Sequence, residues 1–303
     1  MRFPFFNTFT FGLVAAVLLL AAGTARADEP LDPTTVQQDF DRIPVEELTQ
    51  PAPVLEELGE VVVTATRTET PEFDVPRAVT LMKEARVRER GVTNIVDSLD
   101  DQPGIWVEKR TSHTSDPVIR GLSGANLLAL IDGNTLSTFW GEGGFAGDDM
   151  YGKINPDNIA RIEVVRGPGS VLYGSNALGA VINFITRESP FDYTPCGTRW
   201  GGRFYAQVNT STEGWRAHAE GYGASQRLRW IAGVTWMDYS GTEDGSGQWQ
   251  SPTDATGGFA DVAINWKISE IAYAKFTVQY THLDPVYRYY RPTQENENTR
   301  IAV

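Results

Sequence analysis

Side chains able to do chemistry are few in this 303-residue sequence, and they are scattered. The three histidines, His113, His218 and His282, stand far apart. The single cysteine, Cys196, has no partner here for a disulfide or a multi-cysteine zinc site. It is either a free thiol or half of a pair completed elsewhere. No G-x-S-x-G elbow, H-E-x-x-H pair or Walker loop occurs. The cluster Gly141, Gly143, Gly144 and Gly147 lacks both the Rossmann spacing and a strand-to-helix setting. Asp148-Asp149 falls short of the oxygen-rich loop that calcium requires, and Asp100-Asp101 is ordinary in so acidic a chain. No catalytic residue, metal site or cofactor is expected, and the chain reads as a non-enzyme.

Three other sets of residues suit binding better than bond-making. The insert from Thr138 to Lys153 carries Trp140, Phe145, Asp148 and Tyr151 on a glycine-rich backbone. Long loops of this kind are often functional, although a solvated hairpin loop is the simpler alternative. Arg120 and Arg166 each close a β-like run just before a glycine, and by themselves read as surface charges at strand ends. The hexamer Glu60-Val61-Val62-Val63-Thr64-Ala65 is rich in β-branched residues. Such a segment suits β-augmentation, in which an extended peptide adds a strand to a partner's sheet edge. It equally suits the first strand of the domain that follows.

The elements around these residues divide the chain into four parts. Arg2, the apolar run Leu13–Ala22 and the A-x-A-like site Ala25-Arg26-Ala27 make residues 1–27 a secretory signal peptide, too short in its apolar part for a membrane helix. Residues 28–59 form an acidic, proline-containing arm. Asp28 to Glu60 holds ten acidic residues against Arg42 alone, too little apolar surface to offset chain entropy. That arm carries much of the formal net charge of -13, which argues against a nucleic-acid partner. From 60 to 190 the pattern is that of a compact α+β domain. Val61–Thr64, Val79–Met82, Ile105–Val107, Leu127–Ile131, Ile162–Val165 and Val181–Ile185 read as strands, and Thr93 caps a short helix with Ile95, Val96 and Leu99 on one face. From 191 to 303 the texture changes to alternating segments of about ten residues. Gly202–Thr210, Trp215–Ala224, Leu228–Tyr239, Phe259–Ile268 and Ala272–Leu283 have the dyad pattern of transmembrane β-strands, apolar toward lipid and polar toward a lumen. A soluble antiparallel sandwich is the alternative, with strands usually nearer five or six residues.

Four ordered motifs carry a family resemblance. They are Asp97-Ser98-Leu99 with Gln102-Pro103-Gly104-Ile105; Val118-Ile119-Arg120-Gly121 continuing to Leu127–Gly133; Ile154–Ile159 followed by Arg161–Pro168; and Ser170–Asn183, which contains Tyr173-Gly174-Ser175. In order and spacing they resemble the plug domain of TonB-dependent outer-membrane receptors over roughly residues 60–187. The wording from Arg166 to Asn183 is closer to the haem and siderophore branches than to the cobalamin branch.

The resemblance implies a fold: an α+β plug domain followed by an incomplete antiparallel transmembrane β-barrel, mainly β. It implies a function, the N-terminal portion of a receptor for active uptake of a ferric siderophore, haem or similar scarce ligand across the outer membrane, with the arm in the periplasm. The expected partners are TonB, outer-membrane lipid and the iron chelate or haem-like ligand. Glu60, Val61, Val62, Val63, Thr64 and Ala65 then resemble the TonB box. Arg120 and Arg166 would pair with glutamates on the inner barrel wall, and Trp140, Phe145, Asp148 and Tyr151 would contact ligand. A barrel enclosing a plug has about 22 strands of about 9–11 residues, whereas the stretch after Pro190 holds enough for about five, so a truncated chain is expected. A secreted or periplasmic plug-like interaction module without transport activity is the alternative.

Overall fold

The computed structural model describes residues 61–62, 64, 70–71, 74–109, 114–136, 150–174, 177–209, 214–239, 242–243, 246–250, 254–269, 272–288 and 291–302. The expected signal peptide (residues 1–27), the expected acidic arm (residues 28–59), and Glu60, Val63, Ala65, Trp140, Phe145 and Asp148 lie outside those residues.

The first domain is built on a five-stranded sheet. Strand β1 (Val61–Val62) pairs with β2 (Thr70–Pro71) as a separate short ribbon. Then come β3 (Val79–Lys83), helix α1 (Glu84–Arg90), and the hairpin of β4 (Ile105–Lys109) and β5 (Ser115–Ile119). They are followed by β6 (Leu127–Ile131), β7 (Asn134–Thr135), β8 (Ile159–Arg166), the single turn α2 (Ser170–Tyr173) and β9 (Ala180–Thr186). The sheet order is β3-β8-β9-β6-β7, with β6 and β9 parallel and the other pairs antiparallel.

One face of this sheet makes the main core. Ile162 and Val164 of β8, Ile182 and Phe184 of β9, and Leu127 and Ala129 of β6 pack under Val87, Ile95, Val96 and Leu99. Ile95–Leu99 is a 3₁₀ turn, not an α-helix, and its cap is Asn94 in place of the expected Thr93. The Asn94 side chain accepts from the Val96 N–H at 3.1 Å, one residue closer to the orphan donors of the first turn. Helix α1 was not anticipated from the sequence. It has no apolar stripe beyond Val87, its N-cap Lys83 makes no side-chain cap, and it ends at Gly91 in the left-handed region (φ 58°).

The second sheet is a six-stranded antiparallel wall. In order it runs β10 (Arg199–Asn209), β11 (Gly214–Ala224), β12 (Leu228–Tyr239), β15 (Ala255–Lys267), β16 (Tyr273–Arg288) and β17 (Arg291–Ala302). The ribbon β13 (Thr242–Glu243) with β14 (Trp249–Gln250) sits in the connection after β12. The strands are 11–16 residues long, enough for the about 9–11 a tilted membrane strand needs. Strand β17 was missed because RPTQENENTRIA has no apolar alternation. The sheet is open, with β10 and β17 at its two edges.

Dyad alternation sorts the side chains of the wall by face. Trp200, Phe204, Val208, Trp215, Leu228, Trp266 and Phe276 are exposed on the outer face. Arg216, His218, Glu220, Thr235, Asp261, Asn265, Gln279 and Thr281 are buried on the inner one. An apolar outside around a polar, covered inside is the pattern of a barrel wall and the inverse of a soluble sheet.

Candidate functional site

The polar inner wall meets the first domain in a connected set of ion pairs. Strand β11 places Arg216, His218 and Glu220 two residues apart, hence on one face, and β10 adds Arg203, Tyr205 and Gln207 beside them. The plug side supplies Glu84 at the start of α1, Arg187 just beyond β9, and Asn155, Asp157 and Asn158 around the turn before β8.

Glu220 is the hub. Its side chain is 2% exposed and takes an ion pair from Arg187 of the plug, another from Arg203 Nε at 3.2 Å, and a contact from His218 Nε2 at 3.2 Å. Glu84 Oε1 joins the same two arginines, at 3.2 Å from Arg187 Nε and 3.1 Å from Arg203 Nη1. A second node is Asp157. It accepts from the Tyr205 hydroxyl and from Thr235 Oγ1 at 3.1 Å, and pairs with Arg216 Nη2 at 3.2 Å. Asp261 of the wall accepts from Asn155 Nδ2 at 2.6 Å and Asn158 Nδ2 at 3.1 Å. Each buried charge therefore has an opposite charge or amide donors, which is the condition for keeping it out of water.

Backbone contacts fix the approach. Arg216 Nη1 donates to the Val92 carbonyl at 2.9 Å and Gln207 Nε2 to the Gly91 carbonyl at 3.0 Å. A Cβ on Gly91 would lie 2.1 Å from Gln207 Nε2, so glycine serves both the helix end and the wall contact. Further round, Lys275 Nζ bridges Asp132 at 3.2 Å and Glu188 at 3.1 Å. The arrangement seats one domain against the other, and its hydroxyl–imidazole contact, His218 Nδ1 to Thr235 Oγ1 at 2.8 Å, is buried inside that seat. Among the described residues no group of His, Cys, Asp and Glu converges as metal ligands, and Cys196 is an exposed free thiol.

None of these seat residues is among the candidate site residues of the sequence analysis, although Asn155, Asp157 and Asn158 lie in the Ile154–Ile159 motif and His218 is one of the three histidines. The usable signal was Arg216-x-His218-x-Glu220, three charged or polar side chains on one face of a strand whose other face is Trp215, Ala217 and Ala219.

The residues that were singled out fall differently. Arg120 is exposed with φ 52°, and Arg166 donates to Thr80 Oγ1. Burial and the nearby Arg120 charge lower the pKa of the Arg166 guanidinium. No described wall carboxylate pairs with either arginine. Tyr151 corrects its sequence reading. It is 3% exposed and packs edge-on to Phe184 at 6.1 Å in the main core, so it is a core residue and not a ligand contact. Its burial pushes the phenol pKa up.

Of the hexamer, Val61–Val62 forms β1 and Thr64 is buried against the sheet. Glu163 Oε2 accepts from the Thr64 N–H at 2.8 Å, the Tyr173 hydroxyl donates to the Thr64 carbonyl at 2.9 Å, and Asn183 Nδ2 donates to Thr64 Oγ1 at 2.9 Å.

A family model described as the TonB-dependent receptor plug domain matches residues 71–181. The chain is 35% identical over 131 residues to the vitamin B12 transporter BtuB of Vibrio vulnificus (strain CMCP6), covering 43% of this chain and 21% of that protein. It is 28% identical over 221 residues to the hemin receptor of Yersinia pestis, covering 73% of this chain and 32% of the relative. Among solved structures it is similar to the copper transporter OprC, with TM-score 0.56, 20% identity, and 69% of this chain and 31% of that one covered. It is also similar to the pyoverdine outer membrane receptor FpvA from Pseudomonas aeruginosa PAO1, with TM-score 0.57, 17% identity, and coverage of 74% and 30%. The chain thus spans a fifth to a third of the length of these relatives. The relatives include both a vitamin B12 transporter and a hemin receptor, so they do not sustain the expected distance from the cobalamin branch.

Proposed function

From the premise that this chain belongs to the TonB-dependent receptor family through its plug, we propose that it is the N-terminal portion of an outer-membrane receptor for active uptake of a scarce chelate. The observation that carries the reading is the plug itself, seated by buried ion pairs on a wall whose other face is apolar. A plug held by polar contacts suits a device that must move without unfolding, since such contacts exchange for water more readily than an apolar core. The ligand class is a haem, a ferric siderophore or a corrin, in line with the names of the relatives. Trp140, Phe145 and Asp148 are the ligand-contact candidates that remain.

Arg120 and Arg166 serve as anchors for carboxylates on further wall strands. The arm lies in the periplasm, where Glu60–Ala65 pairs with the sheet edge of TonB. Strand addition needs free backbone N–H groups, which proline lacks. Capture of the full-length receptor by an immobilised TonB C-terminal domain, with hemin or cyanocobalamin present, is therefore expected to fall at least tenfold on Val62→Pro. Undiminished capture would remove the hexamer from this role.

A further inference from the structure

Strand β11 buries an imidazole in the middle of the seat. His218 is 2% exposed, and groups from three other wall strands and from the plug face it. Glu220 lies two residues further along its own strand, and Tyr205 of β10 lies tilted against the imidazole with ring centroids 5.3 Å apart. Thr235 comes from β12 and Asp261 from β15, while Asp157 comes from the turn before β8 of the plug. The guanidiniums around the ring are already committed: Arg187 and Arg203 to Glu220, and Arg216 to Asp157.

The donors around Thr235 fix the state of this ring. Asn155 directs its two amide N–H bonds to Thr235 Oγ1 at 3.2 Å and to Asp261 Oδ2 at 2.6 Å. Thr235 has one hydroxyl proton, and Asp157 Oδ2 accepts it at 3.1 Å. The other oxygen of Asp157 is the one engaged by Tyr205 and Arg216. The lone pair left on Thr235 Oγ1 meets His218 Nδ1 at 2.8 Å, so Nδ1 must be the donor. On the far side Nε2 meets Glu220 Oε2, a carboxylate oxygen, at 3.2 Å, so Nε2 must donate too. A ring that donates from both nitrogens is the imidazolium. The neutral ring would need the Thr235 proton for Nδ1, which strips Asp157 Oδ2 of its hydroxyl donor inside a buried seat.

We infer that His218 holds a proton as a structural part of the seat, so that the grip of the wall on the plug depends on pH. The imidazolium puts its charge 3.8 Å from Asp157 of the plug, against Glu220 of the wall, and on the cavity that Asp261 also lines. Asp261 is otherwise served by the amides of Asn155 and Asn158. Loss of the proton removes that charge and turns the Thr235 hydroxyl away from the plug carboxylate. The seat is therefore tight with His218 charged and loosens as rising pH discharges it. This inference rests on the seating of plug on wall alone, and not on the ligand or partner proposed above.

The first test is nitrogen NMR of the purified protein in detergent micelles, with ¹⁵N-labelled histidine. The background is His113→Gln with His282→Gln, which leaves His218 as the sole histidine. At pH 7.5 a free imidazole is about nine-tenths neutral. Both ring nitrogens of His218 are expected to show the one-bond N–H splitting of an imidazolium there, and a bare nitrogen would overturn the inference. The second test reads the seat itself, by the distance between spin labels at Val171→Cys of the plug and Phe276→Cys of the wall. Both positions are exposed, at 91% and 52%, and the background is Cys196→Ser. A seated plug gives a narrow distance and a loosened one a broad distribution. From pH 6 to pH 9 the broad fraction is expected to rise at least threefold, and less than 1.5-fold in His218→Gln. Asp261 is the other group on the cavity able to take up a proton, and Asp261→Asn should keep the threefold rise. An equal rise with and without His218 overturns the inference. A rise kept in His218→Gln and lost in Asp261→Asn also overturns it, and moves the proton to Asp261.

Discussion

Replacing Glu220 with alanine is expected to lower the stability of the seated plug by about 3–5 kcal/mol, the cost of leaving buried charges uncompensated. Arg187 of the plug and Arg203 of the wall both converge on this carboxylate, and its removal leaves them facing each other with Glu84 alone to share. His218 also loses its Nε2 partner. Urea unfolding of the purified protein, followed by tryptophan fluorescence, reads the loss as an earlier transition of the plug domain. The exposed pair Lys109–Asp100, at 3.0 Å, is the control: Lys109→Ala is expected to cost less than about 1 kcal/mol. Equal losses in the two variants would mean that the seat is not held by charge.

Asp97→Asn is expected to act in the opposite direction. Asp97 lies in the 3₁₀ turn above the main core, and burial pushes its carboxyl up to about 6 against the pull of the Ser115 hydroxyl and Lys109. Its Oδ1 is buried without a hydrogen-bond partner. The folded plug therefore holds this proton more tightly than the unfolded chain, where an aspartate titrates at its ordinary 3.8. Stability from the protonated form is present below about pH 4 and is lost as the pH rises through about 6. Asparagine never ionises, so at pH 7.5 the variant is expected to gain on the order of 2–3 kcal/mol, at roughly 1.4 kcal/mol per pKa unit. Urea midpoints at pH 4.5 and 7.5 test this. The wild type should be the less stable at pH 7.5 as far as this group is concerned, and the difference between the two proteins should shrink to about a third at pH 4.5. A difference independent of pH would assign the effect to packing.

What could be read from the sequence was what is local. The stretch Leu127–Ile131 is β6 to the residue, and Leu228–Tyr239 is β12 to the residue, because each carries its own pattern of apolar side chains. Phe259–Ile268 and Gly202–Thr210 found their strands but not their ends, since the unread starts of β10 and β15 contain Gly201, Gly257 and Gly258. Helix α1 is mostly charge with one buried valine, so no apolar period announced it. The seat was illegible for a different reason. Glu84, Asp157, Arg187 and Glu220 are far apart in the chain, and only closure of the plug on the wall brings them together. Tyr151 was misread for the same reason: in a glycine-rich insert it looks available, and only the placement of Phe184 shows where its ring goes.

The claim on which the rest depends is that β10–β16 face lipid on one side and the plug on the other. Single cysteines introduced in the Cys196→Ser background at Phe204, Tyr205, Phe276 and Thr277 sample both faces of β10 and β16. Labelling of outer-membrane preparations with a lipid-soluble maleimide should be strong at Phe204→Cys and Phe276→Cys. It should be at least tenfold weaker at Tyr205→Cys and Thr277→Cys, with none of the four reacting with a membrane-impermeant reagent. Equal reaction of all four with the impermeant reagent, or recovery of the protein in the soluble periplasmic fraction, would contradict it.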